Sequence, residues 1–309
     1  MIHTEIHQVL CRIRFQMIIL YCNKQLVHLN VRSWCLNTNT DIAIILPSIK
    51  QGEDAKTFYQ SSKKYPVLWL LHGTLGCYND YLRRTNIELY ATENDLIVVM
   101  PSAMNSNYSN WSQVIPPFNM FDYLTEELMP LIYGWFPASD KREDNFICGL
   151  SMGARGGASK FGFNYPERFA GVACMSGVPS DIREILKNPN HPMYEREKMT
   201  IDQAGGLEKF LNSYENVWDK VADVAKLENP PRFYFCCGTQ DGVYPNYLHF
   251  KEYAQSVGLK ATFDEREGYA HEWRFWELEI QEILKFFGFD KGIVHGQYDP
   301  REEVKMEGR

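Results

Sequence analysis

The stretch Cys148-Gly149-Leu150-Ser151-Met152-Gly153-Ala154 constrains the fold of this chain more than any other. Apolar residues precede it and predict the end of a short buried strand, and small residues follow it and predict a closely packed helix. A Gly-x-Ser-x-Gly sequence between a strand and a helix is typical of a sharp turn that strains the serine backbone and exposes its hydroxyl. Because the residues two before and two after the serine pass close together, Gly149 and Gly153 fit such a turn. The stretch therefore predicts Ser151 as a nucleophile, with an ordinary turn serine as the alternative.

Apolar runs alternate with helical patterns on both sides of this turn. Short runs that are apolar throughout are typical of strands buried on both faces of a parallel sheet. The predicted strands lie at residues 26–34, 41–47, 65–72, 95–101, 145–148, 169–177, 232–238 and 260–265. The predicted helices lie at residues 81–93, 121–136, 154–161, 247–257 and 273–287. This alternation predicts an α/β fold with a mainly parallel central sheet, helices on both faces, and an edge hairpin made by the first two strands.

One domain is the most economical organisation for 309 residues without an internal repeat or a linker. We predict that this domain covers residues 26–288, with an insertion at about 178–231 where charged residues, Asn and Pro interrupt the pattern. A polar C-terminal tail follows at residues 289–309. Residues 1–25 precede the expected first strand, and their apolar run is too short to span a bilayer and lacks a small-residue cleavage site. An N-terminal extension is therefore favoured over a secretion signal.

Charge and cysteine usage narrow the class of partner and the compartment. A formal net charge of −7 argues against nucleic acid or an anionic membrane as the main partner. The eight cysteines form neither a Cys-x-x-Cys pair nor the Cys/His spacing of a zinc site, so no metal site and no disulfide framework is predicted. A reducing, cytoplasmic compartment is the simplest interpretation, and secretion is the less favoured alternative.

Three reactive side chains follow directly after predicted strands. Ser151, Asp241 and His271 each lie just beyond the carboxyl end of a strand, where functional groups collect in open α/β sheets. Their order along the chain, Ser, Asp, His, is the order found in α/β-hydrolases. His271 would accept the serine proton and return it to the leaving alkoxide, and Asp241 would fix the imidazole tautomer and stabilise the imidazolium.

Catalysis by such a triad also needs donors for the oxyanion of the tetrahedral intermediate. One predicted donor is the backbone N–H of Met152, directly after the nucleophile. The second comes from the loop after the strand at 65–72, and Thr74 is our choice, with Leu75 as the fallback. Losing one such donor costs about 3 to 4 kcal/mol of transition-state stabilisation.

Other residues compete for these roles. Asp264 is an alternative acid and His249 an alternative base, although His249 lies within a predicted helix. His72 adjoins the proposed oxyanion loop, and we expect it to organise that loop by hydrogen bonding and not to transfer a proton. Ser176 ends a strand without the turn pattern, which predicts a packing role. Cys77 has no second base near it in the sequence, so a nucleophilic role is not predicted.

With these residues placed, the chain resembles the esterase D and tributyrin-esterase group of α/β-hydrolases over about residues 26–287. The resemblance is carried by residues 70–76, 84–86, 96–101 and 146–153, by Gly238 with Asp241, and by residues 271–273 with Trp276. Within the group, the chain is most similar to bacterial short-chain acyl esterases. The resemblance implies the α/β-hydrolase fold with a short insertion over the active site, hydrolysis of small acetyl- and butyryl-type esters without a cofactor, and the same triad. It also implies that self-association into a homo-oligomer is an option.

Relatives in this group leave other substrates open. Feruloyl or acetyl-xylan esterases and S-formylglutathione hydrolases share the framework, so a carbohydrate ester or a thioester is an alternative substrate. Five aromatic residues could stack on a sugar or a phenolic acyl group, although core packing explains most of them: Tyr108, Trp111, Phe118, Trp273 and Trp276. A non-catalytic binding protein with this fold is a remote alternative, because such proteins usually lack a triad residue and none is missing here. Substrate choice is expected to depend on the insertion.

Overall fold

Eight strands pair into one sheet in the computed structural model, which describes residues 25–50 and 52–291. The strands of the chain are β1 (Gln25–Ser33), β2 (Thr38–Leu46), β3 (Val67–Leu71), β4 (Ile97–Pro101), β5 (Asn110–Trp111), β6 (Phe118–Asn119), β7 (Asn145–Leu150), β8 (Gly171–Met175), β9 (Arg232–Gly238) and β10 (Ala261–Arg266). The order in the sheet is β1-β2-β4-β3-β7-β8-β9-β10, and β5 pairs separately with β6.

Strand direction follows the prediction. The β1–β2 and β2–β4 pairs are antiparallel, and the pairs from β4 through β3, β7, β8 and β9 to β10 are parallel. This confirms a mainly parallel sheet with a hairpin at one edge. The extension predicted at 1–25 and the tail predicted at 289–309 lie almost wholly outside the described residues. The predicted limits of the domain, 26–288, and of the insertion, about 178–231, remain predictions.

Helices connect the strands. They are α1 (Ala55–Tyr59), α2 (Asp80–Arg84), α3 (Ile87–Glu93), α4 (Met120–Asp122, π-helical Tyr123–Leu128 and Met129–Trp135), α5 (π-helical Gly153–Ala158 and Ser159–Asn164), α6 (Ile182–Leu186), α7 (Tyr194–Gln203), α8 (Leu207–Leu211), α9 (Val217–Val224), α10 (Tyr244–Ser256) and α11 (Trp273–Phe287), with a 3₁₀ turn at Arg142–Asp144. No helix in the described ranges combines the length and the apolar character needed to cross a lipid bilayer.

The core lies in two layers, one on each face of the sheet. Side chains alternate along β3, so that Val67, Trp69 and Leu71 belong to one layer and Leu68 and Leu70 to the other. The first layer is completed by α4, α5, α9 and α10, and the second by α2, α3 and α11. Because both faces are covered, the central strands are apolar throughout, which is the pattern that predicted a parallel sheet.

The helix predicted at 81–93 is instead two helices, α2 and α3. Thr85 between them has extended backbone angles (φ −137°, ψ 170°). The backbone N–H and side-chain amide of Asn86 donate to the carboxylate of Glu277 on α11, at 3.1 and 2.8 Å. The break is therefore stabilised by a tertiary contact 191 residues away, which helical periodicity cannot indicate.

Four helices, α6 to α9, lie between β8 and β9, and two residues of this region, Glu197 on α7 and Glu215 before α9, form ion pairs with α5. Lys160 Nζ lies 2.6 Å from Glu215 Oε2, and these side chains are only 2% and 5% exposed. Arg155, also on α5, pairs with Glu197 on α7. The helices between β8 and β9 are thus joined by charged groups to the helix that follows Ser151.

Candidate active site

Ser151 lies at a strained turn between β7 and α5. Its φ is +53°, in the left-handed region that non-glycine residues rarely adopt. Its N–H donates to the Met175 carbonyl at 2.8 Å, and its own carbonyl accepts from the N–H groups of Ala154 and Arg155. These bonds hold the residue in place on both sides of the turn, as a strained conformation requires.

The glycines of the turn are needed because backbone atoms occupy the space of a side chain. A Cβ added to Gly149 would lie 2.1 Å from the carbonyl oxygen of Gly153. A Cβ added to Gly153 would lie 2.3 Å from the Leu71 carbonyl oxygen. The steric requirement predicted from the sequence is therefore present, and it brings β3, β7 and α5 into direct backbone contact.

Asp241 and His271 form a hydrogen-bonded pair beyond the ends of β9 and β10. His271 Nδ1 lies 2.8 Å from Asp241 Oδ2, and the Asp241 side chain is 1% exposed while that of His271 is 39% exposed. Burial opposes ionisation of Asp241, but hydrogen bonds from His271, the Val243 N–H and Ser176 outweigh it, so its pKa lies below the usual value. An ionised Asp241 accepts the Nδ1 proton, which leaves Nε2 of the neutral ring as a proton acceptor.

Ser176 is buried, as its predicted packing role requires, but it also takes part in this arrangement. Trp276 Nε1 donates to Ser176 Oγ at 3.0 Å. Since an indole N–H can only donate, the proton of the Ser176 hydroxyl stays available, and this hydroxyl helps to lower the pKa of Asp241. The Trp276 ring also meets the His271 ring edge to face, with 5.0 Å between centroids. The signal for this role in the sequence is the position of Ser176 directly after β8, a strand that lies beside β7 and so ends next to Ser151.

The structure brings the predicted residues together in two groups. Asp241 and His271 are in direct contact, and Ser151 lies against β8 and the loop after β3, where a Cβ added to Gly73 would be 3.4 Å from Ser151 Cβ. Within the described residues, no hydrogen bond joins the Ser151 hydroxyl to His271. Such bonds are often long without substrate and shorten in the complex.

The loop after β3 offers unequal oxyanion donors. The Leu75 N–H already donates to Asn105 Oδ1 at 2.8 Å. No acceptor for the Thr74 N–H is found in the described part of the chain, and Thr74 is exposed. Met152 directly precedes α5, and N–H groups at a helix N-terminus have no intrahelical acceptor. This geometry favours Thr74 over Leu75 as the partner of Met152.

The competing residues are engaged elsewhere. Asp264 Oδ2 accepts from the Tyr234 hydroxyl at 2.7 Å, and His249 packs on the Trp218 ring. His72 is buried, its Nδ1 donates to the Gly73 carbonyl at 2.7 Å, and its Nε2 accepts from the Ala103 N–H at 2.8 Å. Burial lowers the pKa of His72 and keeps it neutral. Its ring therefore organises the loop, as expected.

Cys77 and the aromatic residues also have defined roles. The Cys77 thiol donates to Asn79 Oδ1 at 3.0 Å, and the Cys77 backbone N–H donates to Asp80 Oδ2 at 3.3 Å. Tyr108 is fully buried and donates to the His72 carbonyl, and Trp276 is bonded to Ser176, so neither is free to stack on a sugar. No group of three His, Cys, Asp or Glu side chains within the described ranges is arranged to hold a metal ion.

Comparisons with known proteins identify the family of this chain. The family model "Putative esterase" matches residues 33–287. An acetyl esterase of Caldicellulosiruptor saccharolyticus is 29% identical over 276 residues, which are 84% of this chain and 97% of that protein.

Two solved structures of Staphylococcus aureus proteins are similar along nearly their whole length. The fluorophosphonate-binding serine hydrolase FphF is 26% identical with a TM-score of 0.71, covering 86% of this chain and 98% of that one. The S-formylglutathione hydrolase FrmB is 27% identical with a TM-score of 0.69, covering 85% of this chain and 98% of that one. A ferulic acid esterase, 23% identical with a TM-score of 0.65, shares the fold. The chain therefore belongs to the esterase family of serine hydrolases with the α/β-hydrolase fold.

Proposed function

We propose that this carboxylic ester hydrolase cleaves small, short-chain acyl esters of the acetyl and butyryl type, including tributyrin, through an acyl-enzyme formed on Ser151. The observation that carries the proposal is the buried Asp241 carboxylate bonded to His271 Nδ1 at 2.8 Å, at the same sheet edge as the strained Ser151. Similarity to an acetyl esterase supports the choice of acyl group.

Each step assigns a proton or a charge to a named group. The Ser151 Oγ attacks the ester carbonyl carbon while His271 Nε2 takes its proton, and Asp241 stabilises the imidazolium. The backbone N–H groups of Met152 and Thr74 bind the oxyanion. His271 then protonates the leaving alkoxide, and a water molecule, deprotonated by the same nitrogen, hydrolyses the acyl-enzyme. The serine is regenerated and the acid is released.

The test is Ser151→Ala assayed on p-nitrophenyl acetate and p-nitrophenyl butyrate. We expect kcat to fall by about 10⁴-fold or more, because the nucleophile is lost while the fold is kept. Ser256→Ala is a matched control, since Ser256 is exposed at the end of α10. A fluorophosphonate probe should label the wild type and the control but not Ser151→Ala. Wild-type turnover by Ser151→Ala would refute the proposal.

A second candidate substrate is a thioester of the S-formylglutathione type. The likeness to FrmB, at 27% identity, favours it over a carbohydrate ester, for which the similar ferulic acid esterase shows the fold alone. Tyr108 and Trp276 are engaged in hydrogen bonds and do not offer their rings for stacking, which also weighs against a sugar ester. Comparing kcat/KM for S-formylglutathione, methyl ferulate, acetylated xylose and a chain-length series of simple esters would separate these substrates.

We also infer a cytoplasmic location and a partner set limited to small-molecule esters, without nucleic acid or membrane. The net charge of −7 supports the absence of nucleic acid and membrane partners. The six cysteines in the described ranges are free thiols, which supports the cytoplasmic location. Homo-oligomer formation stays a prediction, and sedimentation velocity on the purified chain would test it.

A further inference from the structure

Arg196 links the helices between β8 and β9 to the loop after β3. It lies on α7, and its Nη1 donates to Thr74 Oγ1 at 3.1 Å. The residues are 122 positions apart in sequence. Thr74 carries the N–H that is proposed to bind the oxyanion, so this contact reaches the chemistry from outside the central sheet.

The charge on Arg196 has no carboxylate within ion-pair distance among the described residues, whereas its neighbours are paired. Glu197 pairs with Arg155, and Lys160 pairs with Glu215. The Nη2 atoms of Arg196 and Arg155 are buried without a hydrogen-bond acceptor in the described structure. Burial, together with the charge of Arg155, lowers the pKa of Arg196 to about 10, so the guanidinium stays positive at neutral pH.

Arg196 is partly buried, and a cation that lacks a paired carboxylate in such a place is stabilised by an anion that forms near it. The oxyanion of the tetrahedral intermediate is such an anion, since the Thr74 N–H is one of its two proposed donors. The Glu197–Arg155 pair joins α7, the helix that carries Arg196, to α5.

We propose that Arg196 is a positioning residue for the oxyanion site, holding Thr74 through its hydroxyl and stabilising the developing negative charge with its own positive charge. This inference rests on the proposed function. If Arg196 acts in this way, the helices between β8 and β9 contribute to the chemical step as well as to the choice of substrate.

The experiment compares Arg196→Gln, which keeps N–H donors but removes the charge, with Arg196→Lys, which keeps the charge. Lys198→Gln is the matched control, because it removes one positive charge from an exposed position on the same helix. For p-nitrophenyl acetate we expect kcat of Arg196→Gln to fall about tenfold, less than the 100- to 1,000-fold typical of a direct donor. KM should change little, Arg196→Lys should restore most of the activity, and Lys198→Gln should match the wild type.

A second readout separates transition-state stabilisation from structural damage. Butylboronic acid forms a negatively charged tetrahedral adduct with an active serine, so its Ki should rise about as much as kcat falls in Arg196→Gln. If Arg196→Gln does not fold, Thr74→Val removes the hydroxyl acceptor at an exposed residue and should lower kcat several-fold. Where Arg196→Gln folds, its loss and that of Thr74→Val should not add in a double-mutant cycle.

Several results would overturn the inference. They are an unchanged kcat in Arg196→Gln or Thr74→Val, a rise in KM alone, or a loss confined to an anionic ester such as mono-p-nitrophenyl succinate, which would make Arg196 a substrate contact. Failure of the proposed function looks different, because the wild type itself would then show no turnover that depends on Ser151.

Discussion

Replacing Lys160 by methionine should destabilise the protein strongly, because it leaves the carboxylate of Glu215 buried without its counter-ion. Lys160 Nζ lies 2.6 Å from Glu215 Oε2, 2.6 Å from Ser109 Oγ and 3.1 Å from the Asn107 carbonyl. After the change, the Ser109 hydroxyl still donates to Glu215 at 3.1 Å, but no positive charge replaces that of Lys160. Breaking a buried ion pair by removing one member costs about 3–5 kcal/mol.

The assay is urea unfolding followed by tryptophan fluorescence. Lys226→Met is the matched control, since its pair with Asp223 spans 3.5 Å between side chains that are 75% and 81% exposed. Exposed pairs of this kind contribute little, and we expect a loss below about 0.5 kcal/mol. Lys160→Met combined with Glu215→Leu removes both charges and should recover most of the lost stability.

Two outcomes would refute this reasoning. One is a loss of stability in Lys160→Met no greater than in Lys226→Met. The other is a double variant that is no more stable than Lys160→Met, which would show that the burial of an unpaired Glu215 was not the cause. Because the pair joins α5 to the segment that precedes α9, kcat should fall along with stability in the single variant.

Three further changes probe the site and the core. Ser176→Ala removes a hydroxyl that accepts from Trp276 and helps to lower the pKa of Asp241, and it should lower kcat/KM several-fold. An unchanged kcat/KM would contradict this role. Asn105→Ala removes the acceptor of the Leu75 N–H and should lower kcat, whereas Asn105→Asp, which keeps an acceptor oxygen, should retain more activity. Burial raises the pKa of Glu279 to about 7, so the folded state binds a proton more tightly than the unfolded chain does. The free energy of unfolding should therefore fall by about 3 kcal/mol as the pH rises from about 4.5 to 7. Urea unfolding should show that Glu279→Gln lacks this fall.

The sequence predicted the parts of the site that depend on local pattern. The turn at Ser151 follows from glycines two residues away on each side, and the positions of Asp241 and His271 follow from the ends of apolar runs. The parallel sheet follows from strands without polar residues on either face. All of these signals lie within a few residues of the feature that they predict.

The features that were missed or mispredicted depend on contacts between distant residues. Ser176 is defined by Trp276, 100 positions later, and Arg196 by Thr74, 122 positions earlier. The break after α2 depends on Glu277. A serine, an arginine or a helical repeat carries no local mark of such partners, so only the folded arrangement can identify them.

The close approach of Gly149 and Gly153 limits how this enzyme can be altered. Carbonyl oxygens fill the volume that any substituent at these two positions would need, so the bend that carries the nucleophile has no adjustable part. Directed evolution of substrate preference should therefore leave residues 149–153 untouched and randomise the helices between β8 and β9. Variants at the bend itself should be recovered as inactive or insoluble protein.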